Sequence, residues 1–238
     1  MYRVKPFGLG EGAAELPSCM YKLANVHGPA VDAQNSGVLR DIVINANPSE
    51  VLLPLLVLHK LLCERYRVLS SVHVHSSIQN IPSQCWNCLG NEGACRSRQE
   101  YQLGFTLVWK DVPKPQMKFN IQSMCSIEGE GNIARFLFAL LGHTYNAVTA
   151  TQIDNWVDIA IFQLKKGSKQ EKATVLRCLN SALAKSPWVV GHDLTLADVV
   201  LYGALQATEL AGVPANIQRW MKCCENLACF NLALKQFK

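Results

Sequence analysis

Gly191-His192-Asp193-Leu194-Thr195-Leu196-Ala197-Asp198 carries more structural information than any other stretch of this 238-residue chain. Thr195 and Asp198 stand three positions apart at the head of an apolar run, the spacing of a reciprocal helix N-cap. The Thr195 side chain takes the N–H of Asp198, and the Asp198 carboxylate returns a bond to the N–H of Thr195. Leu194 at N′ and Val199 at N4 add a hydrophobic staple. Val200, Gly203, Ala204 and Ala207 follow, all small and apolar, so the helix that starts here packs closely on its neighbours. A lost cap costs about 1 kcal/mol, and more where the helix end is buried. The box therefore serves folding; chemistry has to be sought elsewhere.

Around the box the pattern is helical throughout. Ile153, Trp156, Val157, Ala160, Ile161 and Leu164 recur at helical spacing as one apolar stripe. Thr151-Gln152-Ile153-Asp154 reads as the capping box of that helix. Further helices are predicted over 171–184, 214–224 and 227–237. Towards the N-terminus the texture changes. Asp41-Ile42-Val43-Ile44 reads as a short buried strand, Asn45-Ala46-Asn47-Pro48 as a turn, and 52–65 as an apolar helix whose start is marked by Pro48 or Pro54. Val68–His75 is rich in β-formers, and Ser76–Gln99 is irregular. Gln102–Trp109 and Met117–Ser123 read as an antiparallel pair joined through Lys110-Asp111-Val112-Pro113-Lys114-Pro115, with a helix opening near Gly129. This order predicts a thioredoxin-like α/β subdomain at 38–142 followed by an all-α subdomain at 143–238.

Composition excludes several classes. With 49% hydrophobic and 17% charged residues the chain has a core to bury and is not disordered throughout. The longest apolar run, Val51 to Leu58, is far short of the roughly 20 residues that cross a bilayer. Met1 to Pro6 opens no apolar segment, so no secretory signal is expected and the ten cysteines are read as reduced thiols of an intracellular protein. The net charge of +5 is spread over the chain: the arm is neutral, and ten bases stand against eight acids, then against seven, in the two subdomains. No segment concentrates cations as phosphate binding requires, so no direct nucleic-acid contact is expected. A nucleic-acid adaptor remains a third reading, to be recognised by salt-sensitive tRNA binding.

Residues 1–37, glycine-containing with three prolines and no apolar period, read as a flexible arm. Inside it Met1-Tyr2-Arg3-Val4 recurs as Met20-Tyr21-Lys22-Leu23: Met, Tyr, a cation, an aliphatic residue. Two copies of one amphipathic peptide suit two equivalent grooves, which a symmetric dimer supplies.

Candidate chemistry is sparse. Cys85-Trp86-Asn87-Cys88, with Cys95 beyond, would offer zinc three thiolates and His73 or His75 as a fourth ligand. A redox CxxC belongs between a strand and a helix, where the helix N-terminus lowers a thiol pKa. This one lies in the irregular stretch, and we read the cysteines as loop thiols. His59, His143 and His192 have no spaced acidic partners, and no Ser-His-Asp set, phosphate loop or carboxylate pair is present. No catalytic residue, metal or cofactor is assigned. Arg135 lies on the helix whose Ile133, Leu137 and Leu140 face inward, and Arg is suited to interface pairing. Asp154 and Asp158 stand four apart with like charge; Asp154 serves the cap, while Asp158 has no local reward and is expected to meet a cation from another chain. Arg135 and Asp158 are thus two candidate partner contacts, each serving a different partner.

A short α/β subdomain followed by a helical one carrying the Thr195–Asp198 box resembles the glutathione-transferase fold over residues 40–238. Ile127-Glu128-Gly129-Glu130-Gly131-Asn132-Ile133-Ala134-Arg135-Phe136-Leu137 resembles the segment that opens the transferase third helix along its dimer face. Asp41 to Pro48, Ile127 to Phe138, Trp156 to Leu164, Pro214-Ala215-Asn216 with Gln218-Arg219-Trp220-Met221, and the arm strings Leu16-Pro17, Cys19-Met20-Tyr21 and Asn25-Val26-His27-Gly28 resemble more closely a family of transferase-like scaffolds in the multi-aminoacyl-tRNA-synthetase complex. That resemblance implies docking of dimeric lysyl-tRNA synthetase by the arm. It implies pairing with glutamyl-prolyl-tRNA synthetase and aspartyl-tRNA synthetase through the folded part. It also implies cytoplasmic and nuclear residence, with pro-apoptotic, ubiquitin-ligase or transcription-regulator partners. The family usually has a leucine zipper between arm and fold; here Pro29 to Val38 intervene without a heptad, putting zipper-borne contacts with arginyl-tRNA synthetase and a sister scaffold in doubt. A working transferase would need a hydroxyl or thiol after the first strand, a cis-proline before an edge strand, and an acid–Ser pair at the third helix. Ser49, Pro113 and Gly131 stand there instead, so a glutathione-dependent transferase is the alternative reading and not the leading one.

Overall fold

The structure, a computed structural model, describes residues 40–50, 52–90, 98–119, 125–208 and 212–237, all within one compact unit, Gln34–Lys238. Five strands form one sheet: β1 (Arg40–Ala46), β2 (Val68–Val74), β3 (Leu103–Trp109), β4 (Gln116–Phe119) and β5 (Ile127–Glu128). Their spatial order is β2-β3-β1-β4-β5. β3 runs parallel to both β1 and β2, from Arg40↔Leu103 to Ala46↔Trp109 on one side and from Val68↔Leu103 to Val74↔Trp109 on the other. β4 runs antiparallel to β1, with Ile44 opposite Met117.

This corrects the expected hairpin. The strands at Gln102–Trp109 and Met117–Ser123 are not neighbours: β1 lies between them, so the proline-bearing segment 110–115 carries the chain past the end of β1. The physical reason is burial. Ile42 and Ile44 have no exposure at all, and a strand with such residues belongs in the middle of a sheet, whereas Lys110–Pro115 has no residue pair suited to a tight hairpin turn.

The helix predicted after β1 is α1 (Leu53–Arg65), and of its two possible starts the Pro54 one is realised, with the proline in the first turn. Leu53 to Lys60 and Leu62 are all buried. A helix apolar on every side must be covered on every side. α1 lies against the sheet, where the His59 ring meets that of Phe105 at 4.7 Å. It also touches α2 (Glu130–Ala139), α5 (Leu196–Gln206) and α7 (Ala228–Phe237). Its C-terminus is clasped to the end of α2: Tyr66 Oη donates to Leu140 O at 2.7 Å, and Arg65 Nη1 donates to Leu141 O. The remaining helices are α3 (Ala147–Asp158), prolonged by a π-helical turn over Ile159–Lys165, α4 (Lys169–Leu183) and α6 (Ala215–Glu225).

The caps differ from the sequence reading in one place. α3 starts at Ala147 and is capped by Asn146, whose Oδ1 accepts the Thr149 N–H at 2.8 Å. Thr151 is therefore inside the helix, its hydroxyl donating back to Ala147 O. The Thr195 box forms as expected at the head of α5. A second box, Ser168 with Glu171, opens α4.

Candidate functional site

A transferase pocket would lie where the β1–α1 turn, the β4 entry and the α2 N-terminus meet, and each is occupied by something else. After β1, Asn47 Oδ1 accepts the Ser49 N–H at 3.0 Å and the Ser49 hydroxyl at 2.8 Å, while Asn47 Nδ2 donates to Asp111 Oδ1 at 3.3 Å. The Ser49 hydroxyl is thus engaged in a local turn. The proline that leads into a strand is Pro115, one residue before β4, rather than Pro113. Its carbonyl already accepts the Gly129 N–H at 2.9 Å, and no peptide bond among the described residues is cis. At the α2 N-terminus, Gly131 offers no hydroxyl, and a Cβ there would make ordinary contacts with Ile161, Arg135 and Val157.

Glu130 is drawn away from any such pocket. It is 8% exposed, and its Oε2 takes the Lys165 ammonium at 2.5 Å. Its Oε1 is buried with no hydrogen-bond partner. Burial raises the Glu130 pKa, and Lys165 only partly opposes that. The pair ties α2 to the end of the π-helical turn. Lys165→Met leaves the carboxylate without its cation and is expected to cost about 2 kcal/mol at neutral pH, below the 3–5 of fully buried pairs because Lys165 is partly exposed. The variant raises the native pKa further, so the native state then holds the Glu130 proton more tightly than the unfolded chain. The loss should shrink as pH falls through that native value. Denaturation at neutral and mildly acid pH checks it, and a pH-independent loss would contradict the assignment.

The thiols and histidines fall as follows. Cys85 and Cys88 are buried and free; burial raises both thiols, Cys88 to about 12. Cys95 lies outside the described residues, and His73 and His75 are exposed on and beyond β2. Among the described residues no three metal-ligating side chains come together. His59 is buried and held to about 3, by desolvation first and by Lys60 second, with Nε2 at 2.7 Å from Ser70 Oγ. It is a neutral core group.

The two candidate partner residues turn out to touch each other. Arg135 Nε donates to Asp154 Oδ1 at 2.7 Å, and Nη2 donates to Asp158 Oδ1 at 2.8 Å and to the Asp154 carbonyl at 3.2 Å. Burial works against the guanidinium, and the bonds to Asp154 and Asp158 more than offset it, raising its pKa. This corrects the expectation that Asp158 lacks a reward within its own chain. It also makes Asp154 a member of the site rather than part of a cap. The like charges at i and i+4 are both met by one guanidinium reaching across from α2. Exposed Phe162 follows on the same helical stretch. A basic residue one helix away from an Asp-x-x-x-Asp face was the available signal. The arm residues Met1, Tyr2, Arg3, Val4, Met20, Tyr21, Lys22 and Leu23 lie outside the described residues.

Comparison with known proteins bears on both halves. Three family profiles match: "AIMP2 lysyl-tRNA synthetase binding domain" over residues 1–40, "Thioredoxin-like domain" over 37–128, and "Glutathione S-transferase, C-terminal domain" over 155–228. The chain is 62% identical over 213 residues to the human protein called aminoacyl tRNA synthase complex-interacting multifunctional protein 2, a match that covers 88% of this chain and 66% of that one. It is 46% identical to the mouse protein of that name over 318 positions, 100% of this chain and 99% of the other. An alignment that much longer than the chain leaves a block of mouse residues without counterpart, and the first two profiles overlap at residues 37–40. A chain from crystal structures of yeast aminoacyl-tRNA synthetase binary sub-complexes shares the fold at 18% identity and a TM-score of 0.51, over 82% of this chain and 92% of that one.

Proposed function

The chain belongs to the family of aminoacyl tRNA synthase complex-interacting multifunctional protein 2, and on that premise we propose that it is a non-catalytic scaffold for aminoacyl-tRNA synthetases. The observation that carries this is similarity along the whole chain, arm included. Residues 1–37 dock lysyl-tRNA synthetase, each Met-Tyr-cation-aliphatic copy engaging one subunit of the dimer. Linking the copies through one arm makes the second contact intramolecular. The folded part, with subdomains at 38–142 and 143–238, engages transferase-like domains of other synthetases, glutamyl-prolyl-tRNA synthetase first and aspartyl-tRNA synthetase as well. Cytoplasmic and nuclear residence, with ubiquitin-ligase and transcription-regulator partners, belongs to the same proposal. Absence of catalysis is supported by the engaged Ser49 hydroxyl, by Gly131 and by Glu130 turned to Lys165.

Arg135, Asp154 and Asp158 form the polar centre of the folded interface in this reading. Arg135→Ala and Asp158→Ala should therefore weaken one and the same synthetase contact, while stability moves by no more than about 1 kcal/mol because both carboxylates are more than half exposed. The test of the whole proposal is capture of purified synthetases by the full chain. Deletion of residues 1–37 should abolish retention of lysyl-tRNA synthetase and spare that of glutamyl-prolyl-tRNA synthetase. Retention of lysyl-tRNA synthetase by the armless chain, or conjugation of glutathione to a generic electrophile, would overturn it.

A further inference from the structure

The packing of α4 beside α6 brings together Lys185, just past the end of α4, and Arg219, on α6. Lys185 and Arg219 line a cleft of about 300 Å³ whose other walls include Leu183, Pro187, Trp220 and Cys223. Arg177 and Lys222 stand exposed on the same two helices. Among the described residues none of these four cations enters an ion pair. Arg219 Nη2 donates at 3.4 Å to Leu183 O and at 3.5 Å to Asn216 Oδ1. Both distances are at the outer limit of a hydrogen bond, which leaves most of its fork to give. The acids of these helices are committed elsewhere: Glu171 closes the cap with Ser168, and Glu225 accepts from the Tyr202 hydroxyl. The result is an apolar floor under a cationic rim with no counter-charge of its own among the described residues.

We propose that the α4–α6 cleft docks an acidic segment of a partner protein, with one apolar side chain seated on the floor and carboxylates bound by Arg219 and Lys185. At about 300 Å³ the cleft sits at the lower end of the range for small-ligand pockets, which leaves room for a single side chain on its apolar lining. The guanidinium fork favours a planar carboxylate. A nucleic-acid backbone is the other anion to consider. It would be served by a track of cations with exposed rings for stacking, whereas here two cations, Lys185 and Arg219, line one cleft and Trp220 is 2% exposed. The site is separate from the arm and from the Arg135 face, so it adds a third point of attachment.

The test uses the full chain and a short fluorescein-labelled peptide of glutamates flanking two central leucines, with binding read by anisotropy. Lys185→Glu and Arg219→Glu should each weaken binding about tenfold or more, as should replacing the peptide's glutamates by glutamines. Cys223→Trp, which fills the cleft, should do the same, and Lys114→Glu on the far subdomain should change nothing. The Lys185 ammonium enters no ion pair among the described residues, so its variant stays informative if Arg219→Glu proves unstable. Equal affinity for wild type and Lys185→Glu would overturn the proposal. So would polyuridylate displacing the peptide more effectively than unlabelled peptide does, since that outcome assigns the cleft to RNA.

Discussion

Asp198→Ala is expected to cost about 4 kcal/mol of stability, several times the loss from Thr195→Ala. Asp198 has no solvent exposure, and its carboxylate gathers four donors. The Thr195 N–H and hydroxyl lie at 3.0 and 2.9 Å from Oδ2, and the Val189 N–H and the Trp220 indole N–H both lie at 3.0 Å from Oδ1. Alanine orphans three buried N–H groups at once, each worth about 1–3 kcal/mol when left unmade, and only the Thr195 hydroxyl has freedom to turn elsewhere. Thr195→Ala removes one member and leaves Asp198 three donors, so its cost should stay near the roughly 1 kcal/mol of an ordinary cap. Asp198→Asn should fall between them, because its amide keeps one accepting oxygen and points N–H groups at donors. Burial raises the Asp198 pKa, and the hydrogen bonds only partly restore it. The native state therefore binds this proton more readily than the unfolded chain. Its contribution declines as pH rises from about 3.9, the unfolded value, to the raised native one, and is flat above. Urea denaturation of the three variants measures all of this. An Asp198→Ala loss no greater than that of Thr195→Ala would show that the network does not hold the α5 entry to α6 and to the 187–194 loop.

The Thr195–Asp198 box is legible in sequence because a cap is local: three residues and their own backbone decide it. The two further donors to Asp198, from Val189 and Trp220, come from nine and 22 residues away, and no spacing rule reaches that far. The same divide explains the sheet. Ile42 and Ile44 announce a buried strand, but which strand covers each side of β1 depends on the path of 76–102, which has no period to read. At α3 the motif misleads. Thr151-Gln152-Ile153-Asp154 satisfies the cap pattern, while Asn146, the realised cap, lacks the acidic residue three further on that would mark it. Ser168-Lys169-Gln170-Glu171 has that residue and does form the box. At the candidate interface, residue types are legible and pairing is not. Arg135 and Asp158 are 23 positions apart, and only the reach of the Arg135 side chain from α2 to α3 makes them one site. The basic lining of the α4–α6 cleft is likewise hidden, because Lys185 and Arg219 lie far apart in the sequence.

Gly203→Ala is expected to destabilise by about 2 kcal/mol and Gly203→Val by about 3, against the usual direction for a glycine inside a helix. In an exposed helix, alanine for glycine gains about 1 kcal/mol. Here a Cβ on Gly203 would stand 2.4 and 2.5 Å from Cγ and Cδ of Pro54, distances no real contact sustains. The pyrrolidine ring has no rotamer into which to retreat, and Pro54 is itself buried in the first turn of α1. The strain must therefore move α1 relative to α5, and α1 is the helix that joins the sheet to the helical subdomain. The clash outweighs the propensity gain, and the sign reverses. Pro54→Ala alone should cost less, because the first helical turn needs no proline and alanine is a good helix former. The double variant Pro54→Ala/Gly203→Ala should recover most of the Gly203→Ala loss, giving a coupling of at least about 1 kcal/mol, as contacting residues do. Additive losses across that cycle would place the effect of Gly203 somewhere other than its contact with Pro54, and the demand for a small residue at that turn of α5 would then have to come from a different neighbour.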